Sequence, residues 1–215
     1  MFHAGFYRRT LSPPDAHPDF MLLAPLLAKV RACTACAAFC PLGCKPLIQV
    51  GASARILIIG QAPGKKAHDS QTPWNDASGK RLRDWLGVSA AEFYDANLVA
   101  LMPMGFCYPG SGTAGDLPPR PECAPLWHDR LRQAMPHIDL TILIGRFALE
   151  RYASDLPGTT LTEQVSNYRS IAPQRFPVVH PSPRNGIWLK KNPWFEQDVI
   201  PELQAAVRRV TKTSR

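Results

Sequence analysis

Four short runs of apolar residues divide the chain, and none of them alternates with polar positions. The runs extend over Arg55 to Gly60, Asn97 to Leu101, Leu140 to Gly145 and Phe176 to His180. A continuous apolar run of this length is typical of a β-strand covered on both faces, as strands in parallel sheets are. The pattern therefore predicts a central sheet of four strands, mainly parallel, with helices on both sides.

Segments with helical periodicity lie before, between and after these runs. They extend over Phe20 to Val30, Gly79 to Leu86, Glu122 to Met135, Phe147 to Tyr152 and Pro193 to Val210. Strands that alternate with helices in this way predict an α/β protein with a three-layer α/β/α architecture. Residues 1–18 have little periodicity, so we expect a flexible N-terminal arm followed by a single α/β domain over residues 19–215.

Length and charge narrow the classes of protein to consider. A chain of 215 residues suits one domain with a well-buried core. Lys and Arg outnumber Asp and Glu by 25 to 17, a net charge of +8 that favours a polyanionic partner or simply gives a basic, solvated surface. The sequence has no secretory-signal pattern and no apolar run near the roughly 20 residues of a membrane helix. We therefore expect a cytoplasmic protein without a membrane partner.

Three loops that follow predicted strands carry unusual residues. The first, Gly60 to Gly64 (GQAPG), has glycines that let backbone amides approach a ligand and a proline that stiffens the turn. The second, His180 to Asn185 (HPSPRN), combines a histidine at a strand end with a serine that can bind phosphate. Ligands in such folds bind beyond the carboxyl ends of the strands, so both loops are expected at one cleft. The third, residues 103–121, is long and rich in Pro and Gly, which is common at functional sites.

The first two motifs together resemble those of the uracil-DNA glycosylase superfamily, and their spacing resembles its iron–sulfur branch, family 4. That branch has an aromatic residue fourteen positions after the first Gly of its motif, preceded by Pro and followed by Ala-Gly and a helix. Here Trp74 lies fourteen positions after Gly60, preceded by Pro and followed by Ser-Gly and an apolar helix. The HPSPRN motif resembles the corresponding loop of the single-strand-selective monofunctional uracil glycosylases. The resemblance extends over roughly residues 20–205.

The cysteines are similar to those of the same branch, in which a Cys-x2-Cys pair and a later pair separated by fifteen residues hold a four-iron four-sulfur (4Fe–4S) cluster. By this resemblance a structural iron–sulfur cluster would be bound by Cys33, Cys36, Cys107 and Cys123. In a reducing compartment, cysteines are more often ligands or small core residues than disulfides. One alternative is a chain without metal, and another is a local metal site made of Cys33, Cys36, Cys40 and Cys44.

The resemblance also implies a reaction, the hydrolysis of the N-glycosidic bond between a damaged base and deoxyribose in DNA. Trp74 would stack on a base that has left the helix. His180 would donate a hydrogen bond to the departing base, on which negative charge develops. The loop residues Gly60, Gln61 and Ala62 would complete the base site.

Two positions depart from the pattern of the superfamily. Family 1 members carry a water-positioning Asp where this chain has Ala62, so that role would pass to Gln61, Asp69 or, by preference, Asp76. The alternative for Asp76 is a plain helix cap. Many members also carry an Asn that pairs with the uracil edge, and the equivalent position here is Pro103. The damaged base is therefore uracil, hypoxanthine, xanthine or another lesion.

The remaining implied contacts are with the DNA strand. The residues expected to bind it are Lys65, Ser182, Arg184, Asn185 and Trp188. In the superfamily the second loop enters the minor groove, and Ile187, Trp188 or Leu189 would fill the space of the flipped base. The alternative is that Trp188 and Leu189 pack beneath the loop.

The sequence thus predicts a monomeric, monofunctional DNA glycosylase that uses water as the nucleophile, since neither motif has a Lys at an active-site position. Two other classes compete with this prediction. One is an iron–sulfur protein with the same fold that binds DNA without hydrolysis, which Ala62 and Pro103 favour. The other is an enzyme acting on free nucleosides or nucleotides, whose binding would not depend steeply on salt.

Overall fold

The computed structural model describes residues 18–113 and 115–212. The predicted N-terminal arm, apart from its last residue, lies outside these ranges. The described strands are β1 (Ile56–Ile59), β2 (Val99–Leu101), β3 (Ser111–Gly112), β4 (Gly115–Asp116), β5 (Leu140–Ile144) and β6 (Arg175–Val178). The described helices are α1 (Pro18–Arg31), α2 (Lys65–Ser70), α3 (Ala77–Leu86), α4 (Ala90–Phe93), α5 (Cys123–Gln133), α6 (Arg146–Tyr152), α7 (Leu161–Ser166), α8 (Gly186–Lys191) and α9 (Ile200–Lys212).

Four strands form the central sheet, in the order β2-β1-β5-β6. Every neighbouring pair is parallel, with Ile56 opposite both Val99 and Leu140, and Ile142 opposite Phe176. Each strand therefore ends at the same edge of the sheet, and the loops that follow β1, β2 and β6 begin there. This confirms the predicted α/β fold with a four-stranded parallel sheet.

Each face of the sheet carries a separate apolar core, because side chains alternate between faces along a strand. Ile56 and Ile58 of β1 pack with residues of α3 and α9. Leu57 and Ile59 pack on the other face with residues of α1, α5 and α6. All four β1 residues are buried. The two cores establish the three predicted layers.

Two regions differ from the sequence prediction. The predicted loop 103–121 contains a small antiparallel hairpin of β3 and β4, with Ser111 opposite Asp116. Strands of two residues, rich in Gly, Ser and Asp, have no apolar pattern that could indicate them. The predicted helix Pro193 to Val210 begins with a π-helical segment over Phe195–Val199 before α9.

Among the described residues, none of the helices combines the length and the apolar character that crossing a membrane requires.

Candidate active site

A pocket of about 440 Å³ lies at the carboxyl edge of the sheet. Its wall is formed by the loop after β1, the turn before α3, the segment after β2, the β3–β4 hairpin and the loop after β6. The two motifs singled out in the sequence are thus on opposite sides of one cavity. Its volume lies within the range usual for sites that bind small organic groups, about 300–1,000 Å³.

Trp74 lies in this pocket in a left-handed backbone conformation, with φ of 57°. Such a conformation is uncommon for a bulky residue and persists only where neighbouring groups impose it. The hydroxyl of Tyr94 donates to the carbonyl oxygens of Pro73 and Trp74, at 3.1 and 3.4 Å. The Trp74 backbone is therefore held from outside the pocket by a tyrosine that sequence reasoning did not select.

Two glycines make room for Trp74. A Cβ atom at Gly60 would lie 2.8 Å from Cζ2 of the indole, and one at Gly79 would collide with the Trp74 carbonyl. The spacing from Gly60 through Trp74 to Ser78-Gly79, which first indicated a family resemblance, thus has a steric cause in this chain.

His180 lies beside Trp74, with ring centroids 5.7 Å apart and planes inclined by 28°. The rings contact each other directly, so a base stacked on Trp74 cannot lie between them. The backbone N–H of Ser182 donates to Nδ1 of His180 at 3.2 Å. With Nδ1 as the acceptor, the proton of the neutral ring is on Nε2, which is then a hydrogen-bond donor.

Burial lowers the pKa of His180 below its ordinary value, and the carboxylates of Asp76 and Asp116 oppose this shift only in part. The imidazole is therefore neutral near pH 7. The Asn185 side chain also holds the backbone of this histidine, since its Nδ2 donates to the His180 carbonyl at 2.7 Å.

The three residues considered for holding water have different surroundings. Asp76 lines the pocket and also caps α3, because its Oδ1 accepts from the Gly79 N–H at 2.8 Å. Gln61 lines the pocket while its Nε2 donates to the Leu117 carbonyl at 3.3 Å. Asp69 lies on α2 with its side chain exposed, in an ion pair with Lys65 at 2.7 Å. Asp76 therefore both caps α3 and lines the pocket, and the two roles do not exclude each other.

The residues expected to contact DNA fall into two groups. Ser182 and Arg184 line the pocket mouth, and Asn185 follows them. The Ser182 carbonyl accepts from the Arg81 guanidinium at 3.2 Å, which ties this loop to α3. Lys65 lies on α2 with its side chain exposed.

Trp188 does not extend towards solvent as a DNA-contacting residue would. Its ring packs edge-on against Phe195 and Trp194, and its Nε1 donates to Oγ1 of Thr162 at 2.8 Å. Leu189 also packs against the core, whereas Ile187 is 71% exposed. Of the three wedge candidates, Ile187 is therefore the one on the surface.

The hairpin brings into the pocket the carboxylate of Asp116, which no sequence pattern indicated. Its Oδ1 accepts from Oγ of Ser111 at 3.0 Å, and that hydroxyl bonds the Tyr108 hydroxyl at 2.7 Å. Its Oδ2 lies close to Gly64, where a Cβ atom would be only 3.3 Å from it. The carboxylate thus faces the loop that follows β1.

Pro103, at the position where the resemblance implied an Asn, lines the pocket, and a buried histidine holds its carbonyl. Nε2 of His128 is 3.1 Å from the Pro103 oxygen, and Nδ1 is 2.6 Å from the Tyr152 hydroxyl. Because a carbonyl only accepts, Nε2 carries the proton and the hydroxyl donates to Nδ1. Burial lowers the pKa of His128 to about 4, so this neutral network is maintained at neutral pH.

Four cysteine sulfur atoms lie together, all within 4.8 Å of one another. They belong to Cys36, Cys40, Cys44 and Cys107. Two members of the ligand set expected from the resemblance, Cys33 and Cys123, are outside this group. The Cys123 sulfur instead accepts from the backbone N–H of Phe106 at 3.4 Å. Cys36 and Cys107 belong to the ligand set that the resemblance implied, whereas Cys40 and Cys44 do not.

The chemistry of this group suits a metal centre. Burial, with neighbouring thiols contributing, raises the pKa of Cys40 to about 12 and raises that of Cys36 and Cys107 as well. A bound cation would reverse this penalty by stabilising thiolates. Donor sets made only of thiolates fit zinc or iron–sulfur clusters. The Sγ atoms of Cys36 and Cys40 are 3.7 Å apart, near the roughly 3.8 Å edge of a tetrahedral zinc–thiolate site.

The family model described as the uracil DNA glycosylase superfamily matches residues 48–204 of this chain. The match includes both pocket loops, Trp74, the hairpin and His180. Of the four grouped cysteines it includes only Cys107.

Proposed function

Because the chain belongs to the uracil-DNA glycosylase superfamily, we propose that it hydrolyses the N-glycosidic bond of uracil or another deaminated base in DNA and leaves an abasic site. The observation that carries this proposal is the meeting of Trp74 and a neutral His180 in one pocket. An aromatic face and an aimed N–H donor are what a flipped base and its departure require.

In the proposed reaction the flipped base stacks on Trp74 on the same side as His180, next to the imidazole and not between the two rings. The Nε2–H of His180 donates to a carbonyl oxygen of the base. As the bond from C1′ of the sugar to the base nitrogen breaks, its electron pair moves into the base, and this hydrogen bond strengthens. Gln61 and Ala62, which line the pocket, border the base on another side, whereas Gly60 makes room for the Trp74 ring.

Asp76 is the residue that holds the attacking water in this proposal. One carboxylate oxygen of Asp76 accepts from the Gly79 N–H, which fixes the orientation of the group, and the other is available to accept from water. A fixed carboxylate also stabilises the positive charge that develops on the sugar. Among the described residues that line the pocket none is a lysine, which favours water over an amine as the nucleophile.

We propose that the DNA strand passes over the pocket mouth, where Arg184, Ser182 and Asn185 contact its phosphates and Lys65 contributes charge. The exposed Ile187 acts as the wedge that fills the position left by the flipped base. Trp188 then supports the loop from within and does not contact DNA.

For the cysteine region we propose a structural 4Fe–4S cluster. The thiolate-only donors support it, and Cys33 and Cys123 are near enough to Cys36 to interact with it electrostatically. A single zinc ion on the four grouped thiols is the alternative, and the short spacing favours it. A four-iron cluster holds its thiolates around a cube, farther apart than the ligands of one ion. Iron, sulfide and zinc analysis of anaerobically purified protein distinguishes the two.

The test of the function is a base-release assay with single-stranded and duplex oligonucleotides that carry uracil, hypoxanthine or xanthine. Alkali cleaves the strand at each abasic site. We expect release of at least one base, lost in Trp74→Ala and His180→Ala and retained in Lys80→Ala, which alters an exposed residue of α3. Intact DNA binding without release of any base would contradict the proposal and favour the iron–sulfur DNA-binding protein.

A further inference from the structure

The pocket has no amide at Pro103 to recognise the hydrogen-bonding edge of a base. A proline side chain has neither donor nor acceptor, and the Pro103 carbonyl is already paired with His128. A site that selects damaged bases among normal ones needs a polar group to do so, because apolar contacts distinguish bases poorly. The missing selector has to come from another side of the pocket.

Asp116 is the group that the hairpin supplies. Two hydrogen bonds shape the hairpin itself, from Ser111 Oγ to the Asp116 carboxylate and from the Leu117 N–H to the Gly110 carbonyl at 2.8 Å. A third, from the Gln61 side chain to the Leu117 carbonyl, ties the hairpin to the first loop. On the other side the Arg184 guanidinium lies against Gly115, where an added Cβ atom would overlap Nη1 of that side chain. The carboxylate is therefore held on the pocket wall by both neighbouring loops.

The two carboxylates of the pocket have different surroundings and so suit different roles. Asp76 is fixed at the N-terminus of α3, two residues after Trp74. Asp116 lies on the hairpin, with Oδ2 towards Gly64 at the far end of the first loop. Asp76, Asp116 and His180 all line the same pocket, so both carboxylates face the space in which a base would bind. Once Asp76 holds the water, Asp116 is the other carboxylate among the described residues of the pocket wall, and it can face the base.

We propose that Asp116 is a specificity-determining residue that accepts a hydrogen bond from the ring N–H of a deaminated base. This inference rests on the proposed function and names its substrate class. Deamination converts cytosine to uracil and adenine to hypoxanthine, and in each case a ring nitrogen with a lone pair becomes an N–H beside a carbonyl. An ionised carboxylate only accepts hydrogen bonds, so it attracts the N–H and repels the lone pair.

His180 and Asp116 together then form a donor and an acceptor that match the adjacent C=O and N–H of such a base. The pair separates uracil from cytosine and hypoxanthine from adenine. It does not separate uracil from thymine or hypoxanthine from guanine, which have the same N–H beside a carbonyl, so discrimination against these two normal bases has to come from pocket shape.

The test compares oligonucleotides that carry uracil or N3-methyluracil, in which a methyl group replaces the proton at issue. The proteins are the wild type, Asp116→Ala, Asp116→Asn and the control Asp84→Ala, which removes an exposed carboxylate of α3 outside the pocket. We expect Asp116→Ala to lower kcat/KM for uracil by roughly 10- to 100-fold, the range for a hydrogen bond to a charged group. Its activity on N3-methyluracil should not fall, so the preference between the two bases disappears.

Asp116→Asn provides a second readout and a check on folding. The amide oxygen still accepts the uracil N–H, so activity on uracil should stay within about tenfold of the wild type. The amide can also present its NH₂ to a ring nitrogen, so measurable release of cytosine should appear. Asp84→Ala should match the wild type on every base. Thermal unfolding midpoints establish that each variant is folded.

Equal loss on uracil and N3-methyluracil in Asp116→Ala would overturn the inference, because the carboxylate would then act on water or sugar. No change in either activity would overturn it as well. If the wild type releases no base, the proposed function fails by itself. The same pair of bases, placed in uncleavable 2′-fluoro oligonucleotides, then tests Asp116 by affinity, and equal affinities of the wild type for both would refute the inference.

Discussion

At the scale of single residues, the site depends on close contacts between glycines and aromatic rings. Gly60 is needed because the Trp74 ring occupies the place of its missing side chain, and Gly79 because the Trp74 carbonyl lies there. The indole is therefore positioned by small residues on either side of it in sequence. A change at a glycine should act through the tryptophan.

Gly60→Ala tests this dependence. The added methyl group would lie 2.8 Å from the Trp74 ring and displace it, so we expect base release to fall at least tenfold with little loss of DNA binding. The smaller ring in Gly60→Ala/Trp74→Phe should recover part of the activity relative to Gly60→Ala. Additive losses in this double-mutant cycle would show that Gly60 acts independently of the ring.

A second residue-scale prediction concerns pH. Burial places the pKa of His180 below its ordinary value of about 6.5, so the ring is neutral at pH 7 to 8 and becomes protonated only at more acidic pH. Protonation at lower pH would remove the acceptor at Nδ1 that binds the Ser182 N–H, and kcat/KM should then decline. His180→Asn should reduce the rate by about 10²- to 10³-fold and flatten this acid limb. An unchanged limb in the variant would assign it to another group.

At the scale of elements, the sequence predicted the strands and helices that leave a repeating pattern of apolar residues. The apolar run at β1 and the periodic segments at α3 and α5 gave the layers of the fold, because burial on both faces of a sheet leaves that pattern. The pocket loops were found because they follow strand ends. The π-helical turn at Phe195–Val199 was not, since no sequence pattern separates it from the α-helix that continues it.

Asp116, Tyr94 and His128 were missed for a different reason. Each acts on the pocket from an element whose approach depends on tertiary packing, and a single sequence does not reveal which distant segments meet. Trp188 illustrates the same limit, because a motif gives the position of a side chain but not the side of the loop on which it packs. The same applies to the cysteines, where spacing alone left two ligand sets open.

The cysteine grouping makes a prediction at this scale. If the four thiols that lie together bind the metal, Cys40→Ser and Cys44→Ser should lose most of the bound metal. Cys33→Ser and Cys123→Ser, the matched controls, should then retain it. Metal content and the visible absorption of anaerobically prepared protein provide the measurement. The reverse pattern would favour the ligand set that the family resemblance implies.

At the scale of the whole molecule, charge adds to the local contacts. The net charge of +8 attracts a polyanion from any direction, whereas Arg184 and Ser182 at the pocket mouth give DNA binding its position. These two contributions respond to salt in different ways, because only a local phosphate contact releases counterions when DNA binds.

Salt titration with single-stranded DNA separates the two contributions. We expect the logarithm of the binding constant to fall linearly with the logarithm of the salt concentration. Arg184→Gln should reduce that slope by about 0.7, the value for one lost contact to a single strand. Arg208→Gln, which removes the same charge from α9, should leave the slope unchanged. Equal slopes for all three proteins would place the DNA path elsewhere.

The segment that holds the hairpin begins and ends at cysteines, Cys107 and Cys123, and its ends meet where the Phe106 N–H bonds the Cys123 sulfur. Compact loops whose ends lie close together can be exchanged with little effect on the scaffold that bears them. Within this segment, residues 111–113 and 116–118 are exposed, so its hairpin end forms a natural cassette for protein engineering. Replacing this cassette should change which base is accepted while the sheet, Trp74 and His180 remain in place.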